Sequence, residues 1–224
     1  TPPLIQYGTF SKYLLEQYYH LITESQKRAI TWIVVTIELL DTDINYKLLK
    51  NLEQKLKIDD SMLEFLFAMP FFEQTDNGIG MKSIHYKKIL LSTVPNIKKC
   101  DVAEFLLSYK DCWNLSEIQT EYKACCFNLM LGNPMDILEI KGLLTKLSSQ
   151  NLPMLKSELL LLSYLYCDKH EPESLNTLGF LVDYLESISE KLLYCNGEIA
   201  KLLTKADEIC HKKIKTIKNS VGCS

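Results

Sequence analysis

The chain has 224 residues, with 25 Lys+Arg against 28 Asp+Glu and a formal charge of −3, so wholesale electrostatic capture of nucleic acid or anionic lipid is not expected. Hydrophobic residues make up 47% and charged residues 24%, an ordinary globular balance. Only 8 Gly and 7 Pro argue against a turn-rich β architecture.

A succession of amphipathic helical segments follows, starting near residues 10, 26, 44, 61, 82, 101, 117, 135, 154, 174 and 197. In the first, Phe10, Tyr13, Leu14, Gln17, Tyr18 and Leu21 share one face, with Thr9 or Ser11 available as a cap. Ser25 begins the next. Its Ile30, Ile33, Val34, Val35, Ile37 and Leu40 make a helix apolar on most sides, which belongs between neighbours; a buried strand over 30–37 is the competing reading.

Asp41-Thr42-Asp43 reads as a turn and cap for Ile44–Leu56, and Asp59 or Asp60 as the cap of Ser61–Met69, which Pro70 ends. The stretch from Phe71 to Met81 gives the strongest loop signal and divides the chain into expected sub-halves 1–73 and 82–224, joined by a loop over 74–81. Helices are expected around Ser83–Ser92 and Asp101–Tyr109, with a break at Pro95-Asn96. In Ser116–Leu131, Ile118, Tyr122, Cys125, Cys126, Leu129 and Met130 are expected to face inward and Gly132 to terminate. Pro134 and Pro153 each suit a first helical turn, the second leading into the deeply buried run Leu159–Leu162. Ser174–Leu193 and Glu198–Ile217 close the chain.

Starts recur every 16 to 23 residues, so a helix pair occupies about 35 to 43. Connections of about two to eight residues place consecutive helices side by side and antiparallel. The expected fold is all-α: one domain of stacked antiparallel helix pairs, an α-solenoid of HEAT/TPR-like type, or an irregular multi-helix bundle. The rhythm resembles HEAT-like arrays, without the residue motif of tetratricopeptide units. The start at Thr1-Pro2-Pro3 suggests a fragment of a longer polypeptide.

Eight cysteines mostly sit within apolar helical runs, which favours reduced, buried thiols in an intracellular protein, nuclear or cytoplasmic. No secretory signal or membrane span is visible. Asn114-Leu115-Ser116 matches a glycosylation sequon but suits a turn into a Ser116 cap better. Zinc could draw on Cys167, His170, Cys210 and His211, with Cys195 in reserve, but an adjacent Cys-His pair on a helix cannot easily aim both side chains at one ion. Asn77 to Lys82 lacks the spacing of a phosphate loop. Asp59-Asp60 and Glu171-Glu173 fall where carboxylates suit helix starts. No catalytic residue, cofactor or metal is expected.

Two surfaces stand out for binding. Tyr13, Tyr18 and Tyr19, with Phe71 and Phe72, are candidate anchors for a protein partner, a helix or peptide in a groove; core packing is the plainer use of the same residues. Lys212, Lys213, Lys215 and Lys218, with Lys98 and Lys99, are candidate phosphate contacts. A solvated helix end accounts for the tail nearly as well, and a single arginine in the whole chain places nucleic acid behind protein. The expected function is a non-catalytic helical scaffold for protein–protein interaction, with a nucleic-acid-associated helical domain as the alternative.

Overall fold

The computed structural model describes residues 21–92, 96–172 and 174–192. The chain is mostly helical, as its periodicity predicts, and includes a small three-stranded sheet that the periodicity does not reveal. It divides into two compact units, Thr1–Phe127 and Asn128–Ser224.

The first unit is organised around helix α1 (Glu24–Leu40). Thr23 and Gln26 close its start reciprocally: the Gln26 amide donates to Thr23 Oγ1 at 3.3 Å, and the Thr23 amide donates to Gln26 Oε1 at 2.8 Å. Ile30, Ile33, Val34 and Val35 are all fully buried, as a helix apolar on most sides requires. The β-branched run is therefore helix and not strand, because burial between neighbours outweighs a propensity cost of well under 1 kcal/mol per residue. Asp41, left-handed at φ 56°, ends it.

Beyond that corner, Ile44–Asn45 form β1, and α2 (Tyr46–Leu56) starts two residues later than the expected Ile44. Its cap is Asn45, not Asp41 or Asp43: Asn45 Oδ1 accepts from the Leu48 amide at 2.9 Å. Asp59 caps α3 (Asp60–Ala68), which stops ahead of Pro70 with Met69 extended. The Met62 amide and the Ser61 hydroxyl, both donating to the Asp59 carboxylate, hold its pKa below the ordinary range.

The expected loop over 74–81 is instead a hairpin within the first unit. Strands β2 (Phe72–Thr75) and β3 (Gly78–Met81) pair antiparallel around Asp76-Asn77, and β1 joins the other edge of β3 with Ile44 opposite Ile79. Gly78, at φ 158°, allows the closest approach: a Cβ there would collide with the Ile44 carbonyl oxygen. The Asn77 carbonyl accepts from the Tyr46 amide at 2.8 Å, tying the turn to α2.

Helices α4 (Ile84–Ser92) and α5 (Asn96–Leu107) then pack on α1, with Trp32 edge-on to Phe105 at 5.6 Å. Lys87 on α4 pairs with Glu38 of α1 at 2.9 Å. A 3-10 turn, Lys110–Cys112, receives α2 through Asn45 Nδ2, which donates to the Cys112 carbonyl at 2.7 Å. Asn51 Nδ2 lies 3.4 Å from the Cys112 sulfur. Within this unit the principal partners of α1 are α4 and α5, so neighbours in sequence are not its main neighbours in space.

Helix α6 (Glu117–Leu131) runs through the division and ends at Gly132, whose φ of 73° is the left-handed terminator expected there. Tyr122, Cys125, Cys126, Phe127 and Leu129 are buried, while Met130, expected inward, is exposed.

The second unit contains α7 (Ile137–Ser149), α8 (Pro153–His170) and α9 (Leu175–Leu192). Pro134 is not the first residue of α7; Asp136 is its cap, with Oδ1 accepting from the Leu138 amide at 2.8 Å. Pro153 does open α8. Consecutive helices pack here in order, α7 on α8 and α8 on α9.

Candidate interaction groove

Among the described residues, the second unit holds a defined groove. In α7, Ile140, Leu143, Leu144 and Leu147 recur at helical spacing and turn inward. In α8, Leu159, Leu160, Tyr164 and Cys167 are buried, and the two serines on the buried side return their hydroxyls to the preceding turn. Ser157 donates to the Pro153 carbonyl at 2.8 Å and Ser163 to that of Leu159 at 2.7 Å. Ser174 caps the entry to α9 by accepting from the Thr177 amide at 3.2 Å, and Thr177 Oγ1 donates back to the Glu171 carbonyl at 2.7 Å. Phe180, Leu181 and Tyr184 then bury against the unit.

Helix α8 packs along both α7 and α9, whereas these two are not packed along their lengths on each other. Between them lies a cavity of about 450 Å³. Leu144, Leu160 and Phe180 form its apolar base. Lys141, Thr145 and Ser148 line it from α7, Lys156 from α8, and Asn176, Gly179 and Asp183 from α9. Lys141 Nζ reaches across to Asn176 Oδ1 at 3.0 Å. Leu175 stands at its edge with 87% of its surface exposed, and Val182, two turns further along α9, is 47% exposed. A Cβ at Gly179 would meet no atom within 4 Å, so the groove is open there.

Cys167 is buried on α8. Burial, then the Glu171 carboxylate, push its thiol pKa above the ordinary range, with Lys141 pulling the other way. That keeps the thiol protonated, the opposite of what a nucleophile requires. Burial likewise raises the Tyr184 phenol. Cys100, Cys112, Cys125, Cys126 and Cys167 are all free cysteines.

The residues singled out from sequence are not gathered at this groove. Tyr13, Tyr18 and Tyr19 lie outside the described residues, as do Lys212, Lys213, Lys215 and Lys218. Phe71 and Phe72 are 2% and 0% exposed and pack edge to face at 5.2 Å, with Phe71 also against Tyr86. They are core residues of the first unit and offer no surface to a partner. Lys98 and Lys99 lie in the first turns of α5, Lys99 half-buried. Gly80, in the stretch 77–82, backs onto the Asp43 side chain, whose carboxylate a Cβ there would meet. His170 stacks on Tyr166 at 4.5 Å, and no group of three His, Cys, Asp or Glu suited to a metal ion occurs among the described residues. Cys195, Cys210 and His211 lie outside them.

Among the described residues, no helix is long and apolar enough to cross a membrane. No protein-family model, curated protein or solved structure matches the chain.

Lys141, Lys156, Leu175, Gly179 and Asp183 were missed in the sequence. Gly179 carried the one usable signal: a glycine within a strongly periodic helix costs about 1 kcal/mol against alanine and marks a position where something besides helix stability matters.

Proposed function

We propose that the chain is a non-catalytic helical interaction module that receives an apolar segment of a protein partner in the groove between α7 and α9. The observation carrying this reading is Leu175: a large side chain almost wholly in solvent, at the lip of a preformed cavity. Burying a leucine side chain on binding is worth about 1.5–3 kcal/mol, or roughly 10- to 150-fold in affinity. The stacked-pair regularity read from sequence would suit such a role, since rigid helices hold a groove open at little entropic cost.

The test is a photo-cross-linking amino acid placed at position 175 in the full chain, with a second placed at Leu165, an exposed position of α8 that does not line the groove. Discrete protein adducts from position 175, absent from position 165 and lost when Gly179→Phe is added, are expected. Adducts that form equally from both positions, or that survive Gly179→Phe, would reject the groove.

A further inference from the structure

The charges at the rim say more about the occupant than the apolar base does. Among the described residues, Lys141 and Lys156 have no carboxylate within ion-pair distance and Asp183 is the only anionic residue lining the groove. Lys141 is nonetheless held in place, because the Asn176 amide oxygen at 3.0 Å accepts from it without neutralising it. A segment laid over the groove removes water from those ammonium groups. A neutral or basic segment leaves that desolvation uncompensated; one with carboxylates beside its apolar anchors offsets it with charge-assisted hydrogen bonds.

We infer that the occupant is an acidic amphipathic helix of a protein partner, with apolar side chains at i, i+3 and i+4 against Leu175 and the groove base and flanking carboxylates on Lys141 and Lys156. The inference rests on the groove being the interaction site. A small anion fits the same ammonium groups less well, because it would leave Leu175 on the lip still wet.

Three synthetic helical peptides with an identical leucine stripe, carrying Glu, Gln or Lys at the flanking positions, test it by fluorescence anisotropy against the full chain. The Glu peptide is expected to bind at least about tenfold more tightly than the Lys peptide, by an amount that shrinks as salt is raised. The double variant Lys141→Glu/Lys156→Glu is expected to reverse the order. Equal binding of all three, or a Glu preference that survives the reversal, would overturn the acidic occupant. The groove itself would still stand if Gly179→Phe abolished binding of every peptide. Binding indifferent to Gly179→Phe, or no binding by any of the three, would overturn both.

Discussion

Asn45 performs two tasks with one side chain, and its removal has a calculable cost. Its Oδ1 caps α2 at 2.9 Å from the Leu48 amide, and its Nδ2 donates to the Cys112 carbonyl at 2.7 Å, joining β1 to the 3-10 turn. Loss of a cap costs about 1 kcal/mol, and loss of a part-buried hydrogen bond about 0.5–1.5 kcal/mol. Asn45→Ala is therefore expected to destabilise the first unit by about 2 kcal/mol. Asn45→Ser, which keeps a capping oxygen but is too short to reach Cys112, should recover about half. Both tryptophans of the chain, Trp32 and Trp113, lie in the first unit, so urea unfolding followed by tryptophan fluorescence reads that unit alone. A change below about 0.5 kcal/mol for Asn45→Ala, or a serine variant no better than alanine, would refute the double role.

Three further outcomes follow from the packing. Thr36 is fully buried and its hydroxyl has no hydrogen-bond partner among the described residues, so Thr36→Val should raise first-unit stability by about 1–2 kcal/mol; a loss of stability on urea titration would show that the hydroxyl is satisfied. Gly78→Ala forces a methyl onto the Ile44 carbonyl and should separate β1 from β3, seen as loss of amide protection at Ile44 and Ile79 by hydrogen exchange; retained protection would contradict the register. Cys167 and Tyr184 both hold their protons more tightly folded than unfolded, so their contribution is complete below the unfolded thiol value, near pH 8.5, and declines as pH rises above it. Circular dichroism at increasing pH should show second-unit stability falling from that point, less steeply in Cys167→Ala; a stability that rises over that range would refute the assignment.

The helical elements were legible because each rests on local signals that agree. Asp59 and Pro153 mark starts, and Gly132 an end, where the structure has them, whereas the helix expected from Ser25 is capped two residues earlier by Thr23. The hairpin was not legible as structure, because its strands are four residues long, too short for alternation to outweigh the polar turn they enclose. Asn77-Gly78 was nevertheless a hairpin signal in its own right. Phe71 and Phe72 could have been surface or core from sequence, and only their tertiary neighbours decide. The groove was least legible of all. Lys141, Lys156, Leu175 and Asp183 come together because α8 spaces its two neighbours apart, a relation between helices that no single helix's pattern contains.

The central claim is most directly tested by the affinity of the Gly179→Phe chain for whichever partner or peptide the wild-type chain binds. Gly179 faces open space, so the new ring should enter the groove without disturbing the helix, whose stability replacement of glycine should if anything improve. The account predicts an unchanged or higher melting temperature together with at least about a tenfold loss of affinity. Unchanged affinity in a correctly folded Gly179→Phe chain would contradict it.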